Sequence, residues 1–178
     1  MKKRNPHRNH LEYKYLPELV YGGIDGAVTT FAVIAGVIGA SLNSTIILIL
    51  GFANLFADGF SMATSDYLST KARSEMDSNK TGKHPMKVAI ATFISFVIIG
   101  LIPLLSFVLG AITKNEFILK NQFFYSVILT GIALVLIGSL RGIITQKHPL
   151  RSALETLIIG GVAASLAFCV GYLLSLIV

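Results

Sequence analysis

With 178 residues, 53% of them hydrophobic and only 13% charged, the chain is too apolar for a soluble domain and too short for a membrane domain plus a separate globular one. The net charge of +6 invites a nucleic-acid reading, but the basic residues lie between apolar runs and form no aromatic-interleaved patch, which excludes that class. An all-α integral membrane protein, with the lipid bilayer as its surroundings and no nucleic-acid partner, is the class that remains.

Residues 1–18 form a basic, mostly polar tail without the short apolar core and small-residue cleavage site of a signal peptide. Pro17 suits the start of a helix. Residues 19–178 hold five apolar runs of roughly the twenty residues needed to cross a bilayer. They are expected at Leu19–Leu42, Thr45–Thr70, Met86–Ile112, Gln122–Ile144 and Ser152–Val178. The connections between them are short: Asn43-Ser44, Lys71 to Pro85, Thr113 to Asn121 and Thr145 to Arg151. Pro103 falls inside the third span and predicts a kink there, tolerated when neighbours satisfy the freed carbonyl. Cys169 stands alone in an apolar run, which excludes a disulfide or a Cys-based metal site and predicts a small buried side chain. His7, His10, His84 and His148 lie in tails or connections and read as surface.

Of the 15 Lys and Arg residues, all but Lys114 and Lys120 fall on the side of the amino terminus. The positive-inside rule then predicts a cytoplasmic amino terminus and a carboxyl terminus outside or in a lumen. An odd number of spans rules out a simple inverted repeat within one chain. Five helices also make a thin wall for a hydrated route, so an oligomer is expected. In span one, Asp25, Thr29, Ala32, Gly36 and Gly39 step along one face, with the pair Gly22 and Gly26 beside it. Small faces let helices approach closely in lipid, either within a chain or between subunits.

Span two carries the polar residues that stand out. Asp58 follows an apolar run from Ile46 to Ala57, interrupted only by Asn54, and so lies near mid-membrane. A charged Asp there costs roughly 2.5–3.5 kcal/mol on insertion scales, so it is expected to line a cavity or an ion path rather than face lipid. Asp58, Met62 and Asp66 are four residues apart and fall near one helix face, about 6 Å apart along the axis. Asn54, Ser61, Ser65 and Ser69 extend that polar stripe. Oxygen ligands beside one soft sulfur suit a transition-metal cation. Met62 taken alone would be core filler. Asp25 has two readings, a helix cap or a path residue, and Asp66 could instead pair with Lys71, Arg73 or Arg141. Arg141 and Glu155 read as an ion pair that fixes spans four and five.

As they stand, Asp25-Gly26 with Thr29-Thr30-Phe31-Ala32, Gly51-Phe52-Ala53-Asn54, Ser61-Met62-Ala63 and Tyr67-Leu68-Ser69 resemble the vacuolar iron transporter family. Gly160-Gly161-Val162-Ala163-Ala164 to Gly171-Tyr172 agrees more loosely. The resemblance implies a homodimer with a cation route between subunits, lined by spans one and two. It implies export of iron(II) or manganese(II) from the cytoplasm in exchange for protons, with the metal as substrate and no permanently bound cofactor. The family's span-one Asp maps onto Asp25 and its span-two Met onto Met62. With Asn54, Asp58 and Asp66 they form the expected metal path, with Thr29, Ser61 and Ser65 in support and Ala32, Gly36 and Gly39 at the dimer interface. Members with a cytoplasmic metal-binding domain carry a Glu eight residues before the Met, where this chain has Asn54. The long Glu-rich domain between spans two and three is here only Lys71 to Pro85, with Glu75 and Asp77 as its acids. Asp58, where better-known members have a small residue, stands in for the lost Glu on this reading.

A bacterial inner membrane is the expected location, or a vacuolar membrane in a eukaryote. No P-loop pattern points to ATP. The rival readings are a non-transporting membrane scaffold and an intramembrane enzyme. Against the enzyme, Asp25-Gly26 lacks the Ala-Arg that follows in alcohol phosphatidyltransferases. Gly22-Gly23-Ile24-Asp25 is one residue out from the Gly-x-Gly-Asp element of intramembrane aspartyl proteases.

Overall fold

The computed structural model describes residues 14–76 and 82–177. The first part of the expected tail, Asp77 and Lys80 in the second connection, and Val178 lie outside the described residues. The described chain is helical and without strands: α1 (Leu16–Gly39), α2 (Ser44–Met76), α3 (Pro85–Leu101), a 3-10 turn (Ile102–Leu104), α4 (Leu105–Thr113), α5 (Glu116–Ile144) and α6 (Pro149–Ser175). Because α3, the turn and α4 run on as one segment, Pro85–Thr113, the structure has five helical segments long and apolar enough to cross a membrane.

The expected ends shift where polar residues stay helical. α1 starts at Leu16, inside the expected tail, with Pro17 in its first turn. α2 continues through Lys71–Met76, since a helix needs no apolar surroundings to keep its backbone bonds. α5 begins at Glu116 rather than Gln122. Lys114 in a left-handed conformation ends α4, and the Asn115 side chain caps α5 by accepting from the Phe117 N–H at 2.9 Å. α6 runs from Pro149 to Ser175, three residues earlier at each end than expected.

Pro103 produces the kink its position predicts. The backbone tightens to the 3-10 turn, the Ile102 N–H reaches the Ile99 carbonyl, and the Ser126 hydroxyl of α5 donates to the Pro103 carbonyl at 2.7 Å.

α1 is the hub. It packs along α3 and α6, with α5 and α2 at its sides, while α2 and α6 make no extended contact with each other. Two glycine sets allow the close approaches. A Cβ at Gly26 would overlap the Phe96 carbonyl of α3, and one at Gly39 would overlap the Phe168 carbonyl of α6. The core comprises Ile34, Val37, Ile47, Leu55, Phe96, Leu104 and Phe107. Many other large apolar side chains, among them Ile98, Leu136 and Leu166, are exposed, as a lipid-facing surface requires.

One expectation is overturned on that surface. Cys169 is exposed rather than buried, because α6 gives only one narrow face to α1 and α5. Its apolar surroundings in sequence are lipid-facing neighbours, not a protein core.

Candidate functional site

With α2 and α6 on opposite flanks of α1, an open face remains along α1 and the adjoining edge of α2. Asp25, Thr29 and Ala32 lie on it from α1, all half-buried. Asn54, Asp58 and Met62 lie on the facing edge of α2, also half-buried, with Ser61 and Ser65 exposed beside them. The α2 residues just round the helix, Leu55, Gly59 and Ala63, are buried against the bundle and fix that edge.

Asp25 sits well inside α1, nine residues past its start, so the helix-cap reading falls. The two carboxylates of the expected path lie on adjoining helices, α1 and α2. Asp25 of α1 and Asp58 of α2 are both half-buried, and among the described residues neither has an ion-pair partner. Two uncompensated acids on adjoining helices are poorly suited to hold helices together and well suited to share a cation. The Thr29 hydroxyl donates to the Asp25 main-chain carbonyl at 2.8 Å, and Ser65 to the Ser61 carbonyl at 2.9 Å. Both hydroxyls thus spend their protons on their own helix and keep oxygen lone pairs as acceptors. The Asn54 amide nitrogen is buried without a hydrogen-bond partner among the described residues. Such a group ordinarily costs stability, and it lies one helical turn before Asp58.

Asp66 is held elsewhere. Among the described residues its partner is the buried Thr92 hydroxyl of α3, at 2.5 Å, and not one of the basic residues expected for it. It belongs to the α2–α3 seam, two helical turns from Asp58. Arg141 and Glu155 meet as expected, at 3.6 Å, with Arg151 also on Glu155 at 3.7 Å. They bind α5 to α6 away from the open face.

The three small residues expected at a dimer contact are divided. Gly39 is buried against Phe168, and a Cβ on Gly36 would stand 3.4 Å from the Ala167 carbonyl, so both pack on α6 of the same chain. Ala32 remains on the open face.

Sequence reasoning missed Glu18. Its carboxylate pairs with Lys83 at 2.5 Å and its side chain is only 15% exposed. Lys14 donates to the Gly82 carbonyl and the His84 N–H to the Tyr15 hydroxyl, so the end of the second connection is laced to the start of α1. Glu18 is seven residues before Asp25, a spacing that puts both on one helix face and could have drawn attention to it.

Within one subunit, no group of three or more His, Cys, Asp or Glu side chains able to hold a metal occurs among the described residues. The open face therefore offers one pair of carboxylates, with the Met62 thioether and the Asn54 amide near them.

The sequence model of the VIT family matches residues 16–84 and 73–172. The chain belongs to the VIT family. Its two matched stretches overlap at residues 73–84, at the end of α2 and the approach to α3. A protein of Plasmodium berghei named vacuolar iron transporter is 25% identical over 234 aligned positions, covering 94% of this chain and 86% of its own. A vacuolar iron transporter of Centaurea cyanus is 26% identical, over 92% of this chain and 90% of that one. Vacuolar iron transporter 1 of Arabidopsis thaliana is 25% identical, over 85% and 83%. The alignment with the Plasmodium protein is longer than this chain's 178 residues, so that relative carries residues this chain lacks. These VIT relatives are named transporters, not enzymes, and with five membrane-crossing helices this chain is an integral membrane protein.

Proposed function

We propose that the protein exports iron(II) or manganese(II) from the cytoplasm by exchange for protons, along a path made where two copies join their α1–α2 faces. The observation that carries this reading is the set of half-buried Asp25 on α1 and Asp58 on α2, with Asn54 and Met62 one helical turn either side of Asp58. One copy supplies too few ligand groups to enclose a cation, and a two-fold axis beside the face doubles them. A divalent cation arriving among four carboxylates displaces the protons they hold, and acid on the far side returns them and releases the metal. Orientation follows from the basic residues, which put the amino terminus in the cytoplasm. Membership of a family whose relatives are named iron transporters supports iron as cargo. The thioether favours first-row transition ions over magnesium or calcium.

The test is purified protein in liposomes with an acid lumen and iron(II) added outside. Metal uptake should be accompanied by proton efflux and should slow when the pH gradient is removed. Uptake with no proton movement and no gradient dependence would point to a uniporter. No metal movement under any gradient would favour the scaffold reading.

A further inference from the structure

On the side of α2 away from Asp58 lies a crevice of about 320 Å³ between α2 and α3. Phe60, Ala63, Thr64 and Tyr67 line it from α2, with Met86 and Phe93 among those facing them from α3. Both sets follow the helical spacing i, i+3, i+4, i+7, so each is a continuous stripe along its helix. The small residues Ala63 and Ala89 make the hollow, and the large Phe and Met side chains form its walls. Thr64, the one hydroxyl-bearing aliphatic in the lining, already donates to the Phe60 carbonyl at 2.8 Å and offers no unmet donor.

The crevice opens on the outer surface of membrane-crossing helices, among exposed Phe60, Met86 and Ile90, so lipid is what covers it. Its polar end is not neutral. Lys71 continues the α2 stripe one turn beyond Tyr67, and Lys87 stands next to Met86 in the first turn of α3; both are exposed. The arrangement is apolar along its length and cationic at the end where the helices leave the hydrocarbon.

We infer that this crevice binds an anionic phospholipid, with an acyl chain between α2 and α3 and its phosphate at Lys71 and Lys87. The site is separate from the metal path. An occupant wedged between these helices braces the α2–α3 seam, which also carries the Asp66–Thr92 hydrogen bond.

The test is native mass spectrometry of the detergent-purified protein offered equal phosphatidylglycerol and phosphatidylcholine. The intact protein should retain the anionic lipid preferentially, by about fivefold for each cation engaged, the factor one Lys near an anionic headgroup supplies. Lys71→Gln should cut that preference by about that factor. Ala89→Phe, which fills the hollow, should lower retention of both lipids, while Lys120→Gln, at the opposite end of the molecule, should change neither. Equal retention of the two lipids by the intact protein would overturn the inference, as would a preference that Lys71→Gln leaves untouched. Loss of retention in Ala89→Phe counts only if its thermal unfolding matches the parent. If it does not, Ala63→Val supplies the smaller filling.

Discussion

Asp58 could be singled out from sequence because the cost of a carboxylate at bilayer depth is large against any gain from helix packing. Asp25 was ambiguous, since a helix beginning at Gly22 or Gly23 would have made it a cap; the start at Leu16 removes that choice. Asp66 was legible as polar but not as a bond to Thr92, because a hydroxyl on another helix leaves no trace in local spacing. Replacing Asp58 with Asn keeps its size and removes its charge. Iron or manganese flux into liposomes should fall at least roughly tenfold, the smaller end of what perturbing a metal site costs, with unfolding temperature little changed. A wild-type rate would take Asp58 off the path. Met62→Leu keeps the bulk and removes the sulfur. It should slow iron, cobalt and nickel more than manganese, the harder ion, in competition flux assays. An equal loss for all four metals would speak for packing rather than ligation.

At the scale of helices, hydropathy locates spans and is blind to what covers each face. Cys169 shows the limit: an apolar run marks residues out of water, and both lipid and protein satisfy that requirement. The same limit applies to the small residues. Gly36 and Gly39 signal a close helix approach, and the partner proves to be α6 of the same chain, because a stripe of glycines is identical whichever chain it meets. Hydropathy stops short of the ends of α2 and α5, where polar turns continue past the hydrocarbon. Pro103 was legible because its missing N–H acts locally. The α1–α3 approach gives the sharpest test. Gly26→Leu drives a side chain into the Phe96 main chain and should destabilise the protein by about 1–3 kcal/mol or more, as overpacking does. Gly161→Leu adds the same side chain on α6, where nothing lies within 4 Å, and should leave thermal unfolding in detergent nearly unchanged. Similar melting of the two variants would mean that α1 and α3 do not meet as closely as the fold requires.

For the whole molecule, the half-open α1–α2 face leaves two acids, a thioether and a buried amide without a partner, too few groups among the described residues to surround an ion. Many large apolar side chains are exposed along the spans, so a strip carrying two acids within them is poorly covered by lipid. A second copy related by a two-fold axis would cover it with an identical strip and exclude lipid from the carboxylates. The proposed contact therefore uses Ala32 of α1 and the exposed Ala57 and Ser61 of α2, which flank Asp58, not Gly39, which α6 already covers. Cysteine crosslinking separates this arrangement from others. Cys169 is exposed and must first be replaced by Ala, or it will form disulfides of its own between molecules. In that background, Ala57→Cys and Ser61→Cys should give dimers under mild oxidation in native membranes, because residues near a two-fold axis meet their own copies. Ile98→Cys, on the lipid-facing side of α3 at 59% exposure, should stay monomeric. Crosslinked Ala57→Cys should also lose metal flux and regain it on reduction, if the path runs through the contact. Dimers formed through Ile98→Cys alone would move the interface to α3, and a fully active monomer would leave the open face to lipid and undo the shared path.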